Sequence, residues 1–165
     1  MPEHDMVMFE EDYQQINNAL LKLLNEAYAK YVLLVDRNGQ LISTQGDTTQ
    51  MDSIAFASLS AGNFAATSEL ARIIGENEFS VIFHQGVKES IHISTVEQRV
   101  ILVVVFDNRT TLGLVKLKVK KAVDELSAIF SELFAKLGRG ERRDTGISQE
   151  FRSVAESEID NLFKD

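Results

Sequence analysis

Apolar residues recur along the first part of the chain in two different rhythms. From Phe9, the positions Phe9, Tyr13, Ile16, Leu20, Leu23, Leu24 and Ala27 are separated mostly by three and four residues, which aligns them along one side of a helix. The runs Tyr31-Val32-Leu33-Leu34-Val35 and Gln40-Leu41-Ile42-Ser43-Thr44 are strand-like instead. Between them, Asp36-Arg37-Asn38-Gly39 contains an Asn-Gly pair that tolerates positive φ, so the two runs predict a hairpin.

A second helix is predicted over residues 52–76. Asp52 and Ser53 are suited to its N-cap, Ile54, Leu59, Leu70, Ile73 and Ile74 are its large apolar positions, and Gly75 stands where it would stop. Its middle has almost no bulky side chains, being built from Ala55, Ala57, Ser58, Ser60, Ala61, Gly62, Ala65, Ala66, Thr67, Ser68 and Ala71. Gly62 alone costs about 1 kcal/mol relative to Ala in a helix interior. Such a strip exceeds what one buried face needs, and it lets another backbone approach closely.

Three strand-like runs follow, from Phe79 to His84, Ile91 to Val96 and Val100 to Phe106, joined by connections short enough to imply antiparallel pairing. The last is apolar throughout rather than alternating. It is therefore expected to be a central strand covered on both faces, with helices on both sides of the sheet. The stretch Val115–Lys120 alternates like a strand. However, Leu112, Val115, Val119, Val123, Leu126, Ile129, Phe130, Leu133 and Leu137 form one helical stripe, capped by Thr110 or Thr111 and ended by Gly138. Residues 1–8 are then an N-terminal tail, 9–137 the domain, 138–150 a flexible linker, and 151–163 a short amphipathic helix with Phe151, Val154, Ala155, Ile159, Leu162 and Phe163 on its stripe. A helix that short is marginal alone and needs a surface to dock on.

Composition narrows the chemistry. The 165 residues carry 17 Lys plus Arg against 25 Asp plus Glu, a formal net charge of -8 that argues against tracking a phosphate backbone. With no Cys, disulfides, thiolate nucleophiles and cysteine-ligated metals are excluded. The start Met1-Pro2-Glu3-His4-Asp5 lacks a basic and apolar leader, which points to the cytoplasm. His4, His84 and His92 are scattered without partners at ligand spacing, and there is no GxxxxGK loop, so neither a metal site, a cofactor site nor intrinsic GTP hydrolysis is expected. Lys116, Lys118, Lys120 and Lys121 read as the solvated face of the third helix.

The order helix, strand, strand, helix, three strands, helix resembles the Roadblock (dynein light chain) family, an α+β fold with a five-stranded antiparallel sheet between helices. Several strings are similar more specifically to the bacterial MglB-type members. They are Val35-Asp36-Arg37-Asn38-Gly39, Ala61-Gly62-Asn63 with Ala65-Ala66, Ile74-Gly75-Glu76, Phe106-Asp107 with Leu112-Gly113, and Glu158-Ile159-Asp160-Asn161-Leu162-Phe163. The resemblance implies a homodimer with the second helix and the following strand at the two-fold. It also implies a Ras-like, MglA-type small GTPase as partner in cell polarity and gliding motility, whose GTP hydrolysis is stimulated by holding the GTPase's own catalytic residues in place.

On that resemblance the GTPase-binding residues are Ala61, Ala65 and Glu69, with Ser58, Ser68 and Arg72 beside them. Glu69 departs from the small residue usual in such proteins. Ile159, Leu162 and Phe163 are a second, C-terminal contact. Arg72, Arg99 and Arg109 are the candidates by position for a transition-state finger, with surface solubility the competing reading for each. Two alternatives stay open: a Roadblock scaffold that binds a GTPase without accelerating it, and a small-molecule sensor.

Overall fold

The structure is a computed structural model that describes residues 3–143, Ile159 and Leu162, with side chains from 10 to 136 and at those last two positions. Its elements run α1 (Glu3–Glu26), β1 (Tyr31–Asp36), β2 (Leu41–Gly46), α2 (Ser53–Ile73), β3 (Val81–Gln85), β4 (Glu89–Val96), β5 (Val100–Asp107) and α3 (Leu112–Arg143). The strands form one antiparallel sheet in the order β2-β1-β5-β4-β3. The all-apolar run is thus the middle strand, as its pattern implied. Residues Val100 to Phe106 are all buried.

Because side chains alternate across a strand, β5 feeds two cores. Leu102, Val104 and Phe106 join Val32 and Leu34 of β1 beneath α1 and α3, where Ile16, Leu20, Leu23, Val115, Val119, Leu126 and Phe130 close over them. Ile101 and Val103 join Leu33, Val35 and Ile93 on the opposite face, under Ala57, Ala61 and Phe64 of α2. Two helices therefore cover one face of the sheet and a single helix covers the other. The α1 and α3 pair is fastened along its length by Lys22 to Glu125 at 3.0 Å, Lys118 to Glu26 at 3.4 Å and Lys136 to Asp12 at 3.5 Å.

Two boundaries move from their expected places. The first helix begins at Glu3 and not at Phe9, taking in most of the expected N-terminal tail. The third continues to Arg143 through Gly138 and Gly140, so the expected linker is helical over its first residues. Two glycines lower helix propensity without forbidding the conformation, and neither is followed by the proline that would stop it. The Thr111 hydroxyl caps α3, accepting from the Leu114 amide at 3.2 Å. Residues 144–150 and most of the expected C-terminal helix lie outside the described residues.

One polar side chain lies deep in the α1 and α3 core. His92 on β4 is 2% exposed, faces the same side as its partners Val104 and Phe83, and has no hydrogen-bond partner at Nδ1 among the described residues. Burial, and then the charge of Lys116 on α3, push its imidazole below the ordinary histidine range. A cation whose folded pKa is depressed leaves the unfolded chain binding more protons, so stability is fully present above the unfolded pKa near 6.5 and is lost as pH falls toward the folded value. Urea unfolding followed by circular dichroism should therefore show a lower midpoint at pH 5.5 than at pH 7.5, and His92→Leu should remove most of that difference. An equal pH dependence in the variant would locate the effect elsewhere.

Candidate functional site

The second helix is attached to the sheet by its smallest side chains. Ala57 and Ala71 are fully buried and Ala61 is 6% exposed, with Phe64 the large residue buried on the inner face and Phe56 half-buried beside it. Ile54, Leu59, Leu70 and Ile73, the large apolar positions by which the helix is recognisable in the sequence, are 60 to 80% exposed. The usual amphipathic arrangement is turned inside out. Asp52 caps the helix, its carboxylate accepting from the Ala55 amide at 3.0 Å.

What holds the helix in place comes from the turn between β1 and β2. Asp36 is wholly buried, and one carboxylate oxygen accepts from the amides of Asn38 and Gln40, both at 2.9 Å, which shapes the turn. Burial pushes its carboxyl above the ordinary range despite those bonds. Arg37 reaches from the turn under the helix, hydrogen-bonded to Glu78 and with its guanidinium 5.2 Å from the centre of the Phe64 ring. Gly39 has φ +92°, and a Cβ there would stand 3.1 Å from Ser58 Cα and 3.7 Å from Ala61 Cβ. The turn can therefore be a seat for α2 only with glycine at that position. The sequence marked this turn as a hairpin; its role as the support of α2 was not visible there, because Phe64 and Glu78 are distant in the chain.

The outward surface divides into two strips. At 3.6 residues per turn, Ser58, Ala61, Ala65, Ser68, Glu69 and Arg72 share an arc of about 100°. They form the flank above the turn. Ser58, Ala65, Glu69 and Arg72 are exposed and Ser68 is half-buried, whereas Ala61, the first of the expected contacts, faces the sheet and packs in the core. Glu69 and Arg72 pair at 3.1 Å, both well exposed. Such a pair adds a few tenths of a kcal/mol at most. Its larger effect is to leave no net charge at the edge of the flank.

The second strip is the apex, formed by Ala55, Leu59, Gly62, Ala66, Leu70 and Ile73, all exposed and none charged. It continues toward β3, to which α2 is tied by His84 and Asn63 at 3.3 Å. Val81 on β3 is 47% exposed, and β3 is an edge strand of the sheet. A contiguous apolar ridge beside an open sheet edge has the composition of a protein interface.

The three arginines named by position are each occupied by a structural partner. Arg72 holds Glu69, Arg99 lies 4.4 Å over the Phe134 ring, and Arg109 Nε contacts both oxygens of Asp107 at 2.9 and 3.1 Å. Arg109 lies at the opposite end of the sheet from the turn. A surface groove of about 500 Å³ there, lined by Lys30, Tyr31, Asp47 and Thr49, has its two cations committed to Glu89 and Asp107. Among the described residues no cluster of His, Asp and Glu converges to hold a metal ion, and no helix is long and apolar enough to cross a membrane. Ile159 and Leu162 are helical and half-buried, while Phe163 falls outside the described residues.

Comparison with known proteins agrees with this arrangement. The model of the Roadblock/LC7 domain matches residues 15–106, which hold all five strands and α2, and the chain belongs to the Roadblock/LC7 family. Solved MglB proteins are among the structures it is similar to. Myxococcus xanthus MglB is 54% identical over 73% of this chain and 91% of its own, with a TM-score of 0.72. The gliding protein MglB of Thermus thermophilus is 34% identical over 73% of this chain and 92% of its own, at 0.69, and an MglB solved in a tetrameric arrangement is 32% identical at 0.68. No curated protein matches.

The two strips respond differently to substitution. Ala61→Arg forces a charge between the helix and Leu33, Val35 and Gly39, and should lower unfolding free energy by about 3 kcal/mol or more in urea titrations. Ala65→Arg at the exposed position one turn along should stay within about 0.5 kcal/mol of the parent. Similar losses from both would mean that the helix is rotated from the orientation described.

Proposed function

We propose that the protein is an activator of a Ras-like, MglA-type small GTPase, working in the cytoplasm as a homodimer without a catalytic site of its own. The observation that carries this reading is the inverted α2. Small side chains on its flank expose helix backbone to a partner, while its large apolar ones form a ridge suited to a second copy. The 54% identity to Myxococcus xanthus MglB supports the same assignment.

In this reading the ridge of Leu59, Leu70 and Ile73 and the edge of β3 pair across the two-fold, which sets the flanks of two α2 helices side by side. The GTPase sits on Ser58, Ala65, Ser68, Glu69 and Arg72, over backbone held rigid by the Asp36 turn. Stimulation then comes from positioning, since a surface that fixes the GTPase's own catalytic groups near their reactive geometry accelerates hydrolysis without donating a side chain. Ile159, Leu162 and Phe163 provide a second contact away from that platform. Cell polarity and gliding motility are the processes such a switch serves.

GTP turnover by the cognate GTPase should rise on addition of the dimer, and Ala65→Arg should reduce that stimulation about tenfold or more, equivalent to at least 1.4 kcal/mol of lost contact. Binding without stimulation would make the protein a scaffold. In sedimentation equilibrium, Ile73→Asp should convert a dimer into a folded monomer, because an 80% exposed side chain contributes little to the fold of one chain. A dimer that survives the change would remove the ridge from the interface.

A further inference from the structure

The sheet has two edges, and the strand β2 forms the one opposite β3. Its residues Leu41–Gly46 include neither a charge nor a proline, the side chains that commonly protect an exposed edge from pairing. A register shift against Leu34 and Val35 makes Ile42 an extra residue, so Ser43–Gly46 is the regular stretch. Along that stretch every second residue turns its backbone N–H and C=O away from β1, where no other strand of the sheet can meet them.

One flank of α1 runs beside this edge. The Ser43 hydroxyl donates to Asn17, and Tyr13 and Leu21, one turn before and after Asn17, share its side of the helix at 47% and 43% exposure. At the far end Leu24 and Gly46 stand together in the wall of the groove of about 500 Å³, with Tyr31 and Thr49. Tyr28 ends the helix there in a left-handed conformation, φ +54°, that suits glycine best, and its side chain is 64% exposed. The helix therefore runs parallel to β2, which puts Glu10, two turns before Asn17, near Leu41, while Asp47 follows Gly46 directly. Both carboxylates are exposed and neither is in an ion pair among the described residues. Lys30 and Arg109 at the groove are already matched to Glu89 and Asp107. The unbalanced charge along this edge is negative at both ends.

We propose that the β2 edge binds an extended segment of another polypeptide, apolar at alternate positions and basic at both ends, as an added antiparallel strand. Its backbone pairs with Ser43–Gly46. The side chains on its α1 side rest on Tyr13 and Leu21, a larger one enters the groove beside Leu24, and the terminal cations face Glu10 and Asp47. Backbone pairing supplies affinity in such docking, and the places for alternate side chains supply selectivity. A second copy of this chain fits poorly, because pairing two β2 edges across a two-fold sets Glu10 of each against Asp47 of the other. The site lies on the opposite edge of the sheet from β3 and the α2 ridge, so it depends on neither the dimer nor the GTPase reading.

The chain contains no tryptophan, so a tryptophan in a probe peptide can be read without background. The probe is a capped peptide of alternating valine and threonine with lysine at both ends and one tryptophan at the groove end. With the full chain its emission should shift to the blue and saturate below about 1 mM, and the amide signals of Ser43–Gly46 should move in nuclear magnetic resonance spectra. Two further probes carry N-methyl groups at alternate amides; the one methylated toward β2 should bind about tenfold more weakly or worse, and the other should bind like the parent. Glutamate in place of the probe's lysines should weaken binding about threefold to tenfold, and Glu10→Lys with Asp47→Lys should reverse that preference. Leu21→Glu should weaken binding about tenfold, with circular dichroism confirming an intact fold. Absence of saturable binding, equal effects of the two methylation patterns, an unchanged charge preference in the double variant, or movement of the Val81–Gln85 amides in place of Ser43–Gly46 would overturn strand addition at β2.

Discussion

Everything in this fold depends on the strand Val100–Asp107 having no side that can face water. Each of its buried Val, Leu and Ile side chains is worth about 1.5 to 3 kcal/mol when removed from solvent, so both faces of the sheet must be roofed before the chain is stable. The two roofs differ in kind. On one side α1 and α3 interdigitate large side chains with the sheet and are tied to one another by ion pairs. On the other, α2 approaches on alanines and two phenylalanines, Phe64 buried and Phe56 half-buried, which brings its backbone close to the sheet but supplies little bulk.

That second roof requires help from outside the helix. The buried Asp36 carboxylate gives the turn its shape, Arg37 spans to Glu78 and Phe64, and the left-handed Gly39 opens the space into which Ser58 and Ala61 settle. A helix secured this way can leave its large apolar residues free for other chains. The same arrangement leaves the outward side of α2 stiff and, apart from the Glu69 and Arg72 pair, nearly uncharged.

Charge is distributed with similar consequence. The net charge of -8 hides a concentration of lysines at the start of α3 and of carboxylates after residue 143. At the start of α3, Lys118 and Lys121 are matched to Glu26 of α1, while Lys116 and Lys120 are exposed.

Much of the architecture was legible in the chain itself. The periods of three to four residues located three helices, the uninterrupted run from Val100 located the centre of the sheet, and the helical stripe from Leu112 correctly overrode the strand-like alternation of Val115–Lys120. These features are local, so spacing alone specifies them. The rotation of α2 was not local. Ile54, Leu59, Leu70 and Ile73 mark the helix but do not say which side meets the sheet, and its small residues suit a buried face and an exposed one equally. Only the tertiary structure decided this, by placing Gly39 and Arg37 beneath Ala61 and Phe64. That contact packs Ala61 into the core and leaves Ala65, Glu69 and Arg72 on the surface. The sequence determined that this protein has a helix of small residues over an apolar sheet; which of those residues face the sheet and which face outward was decided by a contact between segments more than twenty positions apart.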